Sequence, residues 1–441
     1  MRRPPSSHRA AVPWADLARR ELTLARERLL ALVGSVPETE LVHQHSELMS
    51  PPVWDVAHVA NYEEQWLVRA LSARPVSDGA LDAIYDAFRH PRRERSRLPL
   101  LGLEEALAYG AEVRCRVLEH LDSLSPADSG PLLDGGFVYG MVAQHEQQHI
   151  ETLLATLQMV TRVSLSPPVA RSLRPVTSLV PAGGEVLVPG GPFLRGSDAS
   201  WAYDNERPSH RWTLPDFLID RSPVTNAAFL GFVEDGGYRR PELWTEPGWR
   251  HRCEAGLEHP AYWRRADRGW ERRRFGLWEP LPGGEPVIHV CWYEADAYAR
   301  WAGRRLPTET EWEKAARWNP DGKAAPWPWG EEPPTAERAN LWPVAGHPLP
   351  AGSLPDGASP CGALGLIGDV WEWTASDFEP YPGFRAFPYP EYSQVFFGTG
   401  LKVLRGGSWA VAPVAARSTF RNWDLPIRRQ IFAGFRCARD A

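Results

Sequence analysis

The stretch Gln144-His145-Glu146-Gln147-Gln148-His149-Ile150-Glu151-Thr152 lies within residues 137–160, a run of helical length whose apolar residues recur at three and four. Two histidines four apart share one face of a helix and can hold one metal ion. A third histidine, His58, falls in another helix-like run, 53–71, whose face could approach the first. Taken singly, His145 and His149 read equally well as polar positions on an amphipathic helix, and His58 as a packed or capped side chain. Bundle cores build metal sites from facing helices, so the three together favour ligation with coordination positions left open.

His145-Glu146-Gln147-Gln148-His149 also matches the zinc-protease pattern His-Glu-x-x-His letter for letter. Against that reading, the third ligand candidate precedes the motif, and the helix belongs to a bundle. Glu151 would be the carboxylate that fixes an imidazole tautomer. On ligand softness alone, an all-imidazole site suits zinc, iron, copper or nickel.

Four helix-length segments fill the first part of the chain, at 14–33, 53–71, 103–124 and 137–160, as in a four-helix bundle. Pro51-Pro52 fits a helix start, and Gly135-Gly136 breaks the chain before the fourth segment. Residues 165–184 are proline-rich and read as a linker. From residue 185 the texture changes to short apolar runs broken by Gly, Pro, Asn and Asp, with most of the tryptophans and two clear helices, 292–302 and 309–318. The expected fold class is α+β, with a metal-binding bundle at 10–164, the linker, and a loop-rich domain at 185–441.

A length of 441 residues suits two cores rather than one. The net charge of -6 argues against a general nucleic-acid binder. The five cysteines are scattered and never form a Cys-x-x-Cys pair, which excludes a zinc ribbon or a disulfide framework and fits a reducing cytoplasm. Met1-Arg2-Arg3-Pro4-Pro5-Ser6-Ser7 leads into a mixed, charged pattern rather than an apolar signal core, and no stretch reaches the ~20 apolar residues that span a bilayer. A cytoplasmic protein is expected, with no membrane partner.

Five further motifs make a specific set: Met49-Ser50-Pro51-Pro52-Val53-Trp54-Asp55-Val56-Ala57-His58; Tyr85-Asp86-Ala87-Phe88-Arg89-His90-Pro91-Arg92; Gly368-Asp369-Val370-Trp371-Glu372-Trp373-Thr374; Leu404-Arg405-Gly406-Gly407-Ser408; and Phe420-Arg421-Asn422-Trp423-Asp424. With the histidine motif, they resemble the sulfoxide synthases of the ergothioneine pathway, the hercynine oxygenases, over nearly the whole chain. The resemblance implies a bundle of the DNA-damage-inducible type joined to a C-type-lectin-like domain of the formylglycine-generating-enzyme type. It implies Fe(II) held by His58, His145 and His149, with O2 as oxidant and hercynine and γ-glutamylcysteine as substrates. Sulfur would be joined to the imidazole C2 of hercynine and oxidised to the sulfoxide.

The resemblance also implies site residues. Arg92 and Arg95, rather than Arg93 or Arg97 of the same basic run, would bind the thiol substrate's carboxylates through guanidinium forks. Asp424 would receive its ammonium group; the other reading is a turn residue before proline. Tyr389 would donate a proton, with Tyr381 as a competing candidate. Tyr392 and Gln148 would orient the hercynine imidazole, and Trp423 would border its quaternary ammonium. Trp371, Trp373 and Trp409 read as core.

The sequence departs from residues common in this family at Ile150 and at Leu194-Arg195-Gly196, positions that bear on the substrate. Alternative donors are a selenosugar, as in selenoneine synthesis, and free cysteine. A formylglycine-generating oxidase is excluded because 417–423 holds no cysteine and Cys437 stands alone. The reading from another class is a non-catalytic two-domain binding protein.

Overall fold

The structure, a computed structural model, describes residues 12–77, 79–166, 180–322 and 324–441. Most of the expected linker and the basic N-terminal heptad lie outside the described residues. The chain divides into two compact units: the first ends at Thr156 and also takes in Ala199–Trp201, and the second comprises Leu157–Asp198 and the chain from Ala202 onward.

The first unit contains four long helices: α1 (Ala15–Gly34), α2 (Pro52–Glu63), α3 (Leu103–Ser123) and α4 (Phe137–Leu157). Ala18, Leu22, Ala25, Leu29 and Leu32 bury one stripe of α1, and Ala106, Gly110, Val113, Val117 and Leu121 do the same on α3. Pro52 opens α2, where its missing N–H costs nothing, and every residue of that helix is buried. Before α4, Gly135 and Gly136 take φ values of 56° and 75°, and a Cβ on Gly136 would lie 2.6 Å from Trp14. The glycine pair therefore breaks the chain and lets an indole close over the break.

The second segment is not one continuous α-helix over 53–71. After Glu63 it widens into a π-helix, Glu64–Arg69. Adjacent Glu63 and Glu64 are both fully buried yet have different partners. Glu64 accepts the backbone N–H groups of Val76 and Ser77 at 2.7 Å and the Tyr109 hydroxyl at 2.5 Å. The wider turn accommodates two neighbouring carboxylates that leave in different directions.

Glu63 enters a buried ion ring with one member from each helix. Arg26 of α1 reaches Glu63 of α2 at 2.8 Å and Glu146 of α4 at 2.7 Å, and Arg114 of α3 reaches the same two carboxylates at 2.5 and 2.8 Å. Two cations and two anions cancel, so the low-dielectric interior is left without net charge. Gly110 leaves room for Arg26, whose Nη1 donates to the Gly110 carbonyl at 2.7 Å. The ring fixes the rotational setting of all four helices.

The second unit is built from short strand pairs, antiparallel except for one parallel pair that joins 371–372 to 433–434, and from long loops. β1 (Glu185–Val188), β4 (Phe217–Asp220) and β12 (Ala438–Asp440) form one sheet in the order β1-β4-β12. β8 (Trp371–Asp377), β9 (Lys402–Arg405), β10 (Asn422–Asp424) and β11 (Ala433–Gly434) form another, ordered β10-β9-β8-β11. The pair β2 (Gly191–Arg195) and β3 (His210–Leu214) and the meander β5 (Trp263–Ala266), β6 (Gly269–Arg274), β7 (Leu277–Pro280) complete the strands described.

Four helices punctuate these strands: α5 (Asn226–Glu234), α6 (Glu246–Glu254), α7 (Trp292–Trp301) and α8 (Glu309–Arg317). Trp371, Trp373 and Trp409 are buried, which accounts for part of the tryptophan excess as core. None of the described helices is long and apolar enough to cross a membrane.

Candidate metal centre

Helix spacing brings His145 and His149 together on α4, and packing adds His58 from α2. One ligand atom from each lies within 4.8 Å of the others, the one such histidine, cysteine or carboxylate group among the described residues. Their ring centroids are 4.5 to 5.1 Å apart.

Two oxygens fix the tautomers. His149 Nδ1 lies 2.7 Å from Asp55 Oδ1, and His58 Nδ1 lies 2.8 Å from the Tyr85 carbonyl. Carboxylate and carbonyl oxygens only accept, so each Nδ1 carries its proton and donates it, leaving the Nε2 lone pair for a ligand. Aromatic rings hold the imidazole planes. Tyr62 stacks on His145 at 3.8 Å and 17°, and Trp54 stacks on His58 at 4.4 Å and 14°.

Burial, and then the neighbouring imidazoles, hold His58 and His145 well below the ordinary imidazole pKa. Neutral rings with oriented lone pairs are what a divalent transition ion requires, so the donor set fits such an ion.

The protease-like motif is resolved by Glu146. Its carboxylate is 2% exposed and committed to Arg26 and Arg114 in the ion ring, on a different side of α4 from the histidines, so it is not a general base at this centre. The expected tautomer-fixing role of Glu151 falls to Asp55 instead. Asp55 comes from the facing helix, and its partner is set by packing rather than by sequence neighbourhood. The negative charge of Glu151 acts on Arg28.

Arg95 lies close to the same cluster. Its guanidinium sits 3.7 Å from the Trp54 ring centroid and donates to the Ser50 hydroxyl and to the carbonyls of His90 and Ala87. Burial and the charge of Arg92 lower its pKa to about 10. Three of its five N–H groups are thus committed to the fold and two remain. Arg92 is half-buried, with Nη1 donating to the Leu48 carbonyl at 3.2 Å. Gln148 is half-buried on α4 beside His149.

The remaining expected site residues lie in the second unit. Tyr392 is half-buried, stacked on Tyr203 at 4.3 Å and set edge-on to Tyr389 and Trp423 at 6.2 and 6.0 Å. Trp423 is stacked on Phe378 at 4.1 Å. Asp424 accepts the Leu425 N–H at 2.8 Å and lies 3.4 Å from Arg428 Nε, so its carboxylate already has a cationic neighbour. Tyr381, the competing tyrosine, is 3% exposed; its ring lies 4.2 Å from both Arg195 and Arg421, and its hydroxyl donates to Glu313 at 3.3 Å. It is part of the core ion lattice of Glu309, Glu313, Arg405 and Arg421.

Of the departures from the family pattern, Leu194 is exposed, while Ile150 and Arg195 are interior. Ile150 is fully buried in the bundle, and Arg195 pairs with Glu309 at 2.8 Å.

Residues 21–153 match the DinB superfamily, and residues 172–441 match the sulfatase-modifying factor enzyme 1-like domain. The chain is 49% identical to the hercynine oxygenase of Mycolicibacterium smegmatis, over 95% of this chain and 98% of the relative. It is 48% identical to the hercynine oxygenase of Mycobacterium tuberculosis, over 95% of this chain and 97% of the relative. It is 33% identical to the formylglycine-generating enzyme of Streptomyces coelicolor, over 63% of this chain and 95% of the relative. With both domains matched and near-half identity sustained across both, the chain belongs to the hercynine oxygenase family and is an oxygenase enzyme.

Proposed function

We propose that the chain joins the sulfur of γ-glutamylcysteine to the imidazole C2 of hercynine and oxidises that sulfur to the sulfoxide, using O2 and Fe(II) held by His58, His145 and His149. The reaction balances as hercynine plus thiol plus O2 giving sulfoxide plus water. The observation that carries the reading is the group of three imidazoles, in a chain near half identical to the two mycobacterial hercynine oxygenases over almost its whole length. When bound, the iron supplies O2 activation and favours the thiolate form of a coordinated thiol at neutral pH.

The protein's own groups divide the remaining work. Asp55 and the Tyr85 carbonyl hold the Nδ1 protons of His149 and His58, while Tyr62 and Trp54 hold ring planes. Arg92, and Arg95 through its two uncommitted N–H groups, bind the carboxylates of γ-glutamylcysteine, and Asp424 receives its ammonium. Gln148 and Tyr392 orient the hercynine imidazole, and Trp423 borders the quaternary ammonium. Tyr389 donates a proton from its hydroxyl. Tyr381 is not proposed for that role, because its hydroxyl is committed to Glu313.

The test offers hercynine aerobically to the Fe(II)-loaded chain with γ-glutamylcysteine, free cysteine or a selenosugar in turn, with products read by mass spectrometry. The sulfoxide from γ-glutamylcysteine supports the reading. Product from another donor alone reassigns the substrate, and no product from any donor favours a binding protein.

A further inference from the structure

Asp204, Asn205 and Glu206 form a three-residue 3-10 turn in which all three polar side chains are buried, at 1%, 0% and 0% exposure. Three consecutive buried polar groups are costly unless each has a task, and each here has one. Asp204 Oδ2 accepts the backbone N–H of Phe387 at 3.2 Å, and Oδ1 accepts the hydroxyl of Ser393 at 2.5 Å. The Asn205 amide donates to that same hydroxyl at 3.0 Å. Tyr203, just before the turn, stacks on Tyr392.

One carboxylate thus grips both ends of the segment 387–393, and the ring beside it covers one of the tyrosines within. The same turn also reaches the segment 417–421 that leads into Trp423 and Asp424. Glu206 accepts from Arg417 Nε at 2.8 Å and the Thr419 hydroxyl at 2.7 Å, and Arg421 donates to the Asn205 carbonyl at 2.8 Å.

We propose that Asp204 is a positioning residue: by clamping 387–393 at Phe387 and Ser393 it holds Tyr389 and Tyr392 in their working arrangement, an inference that rests on the role proposed above for those tyrosines. A carboxylate suits the position because both of its oxygens accept and the two donors come from opposite ends of the segment. Ser393 is held between the turn's two side chains, donating to Asp204 and accepting from Asn205. Preorganising a reactive group through hydrogen bonds of this kind is how a site on a loop acquires the precision of one on a regular element.

The experiment compares wild type, Asp204→Ala, Asp204→Asn and Ser393→Ala in the full iron-loaded chain. Hydrogen exchange is read for peptides over 387–393 and over α4, alongside metal content and steady-state kinetics. Loss of the clamp predicts exchange about tenfold faster in 387–393 for Asp204→Ala, with α4 and metal content unchanged, and kcat falling more than KM changes. Asp204→Asn, which keeps one acceptor and can donate to Ser393, recovers most of both. Ser393→Ala, which removes a single hydroxyl, carries the test if Asp204→Ala does not fold.

Unchanged exchange in 387–393 overturns the proposal. Faster exchange with unchanged kcat also overturns it, and Tyr389→Phe then locates the fault: if that variant loses turnover, the tyrosine reading stands and the clamp is dispensable. If Tyr389→Phe is fully active, the tyrosine reading itself has failed.

Discussion

Asp55 Oδ1 lies 2.7 Å from His149 Nδ1, so a fully buried carboxylate on one helix sets the tautomer of a ligand on another. Such an acceptor orients the ring and raises the basicity of its other nitrogen. Asp55→Ala is expected to weaken divalent-metal binding about 10- to 100-fold, and Asp55→Asn to weaken it less. Anaerobic titration with Fe(II) or Co(II) measures this, and unaltered affinity in Asp55→Ala would dismiss the role.

Glu146 and His145 are neighbours in sequence with unrelated jobs. Glu146→Ala leaves two arginines buried beside one carboxylate and is expected to cost about 3–5 kcal/mol. The folded fraction should retain full metal stoichiometry and turnover per metal. Denaturant midpoints and metal analysis check both halves; a stable but inactive Glu146 variant would restore the protease-like reading of the motif.

How much of this was legible in the sequence depended on the range of the interaction. The four helices could be read from periodicity, and His145 with His149 from a spacing within one helix. The tie between Asp55 and His149 could not, because it spans 94 positions and depends on how α2 and α4 rotate against each other. The carboxylate that meets His149 Nδ1 is Asp55, not Glu151, the nearer one in sequence. The π-helix after Glu63 has no signal in apolar periodicity, which does not register a widened turn. The commitment of Tyr381 to Glu313 and the turn at Asp204 were hidden by range, as the tie of Asp55 was. Asp-Asn-Glu reads as a polar surface turn until the arginines and the serine that meet it are placed.

Asp369 supplies a pH test. Its buried carboxyl is pushed up to about 6 by burial, and its Oδ1 accepts from Asn340 at 2.6 Å and from the Leu349 N–H at 2.9 Å. Its folded pKa lies above the unfolded value of 3.8. The folded state therefore holds the proton more tightly, and this group's contribution to stability is full below about pH 4 and is lost as pH rises through about 6. Asp369→Asn keeps both acceptor bonds without the charge. It is expected to match wild type near pH 4 and to exceed its stability at pH 8 by up to about 3 kcal/mol. Equal stability of the two proteins at pH 8 would contradict this.

Arg92 and Arg95 should separate by what else they hold. Arg92→Ala is expected to raise KM for γ-glutamylcysteine about 10- to 100-fold with little change in thermal midpoint. Arg95→Ala should do the same and also lower the midpoint, since its guanidinium supports Ser50, His90, Ala87 and Trp54. Steady-state kinetics beside thermal unfolding distinguishes the two.

Iron stoichiometry read beside turnover, in the wild type and in His145→Ala, decides whether His58, His145 and His149 form one iron centre that drives the oxidation. One Fe(II) per chain and the hercynyl sulfoxide are expected in the wild type, with both lost in the variant while the bundle stays folded. Sulfoxide formation that persists in His145→Ala, or in wild type stripped of iron, would contradict it.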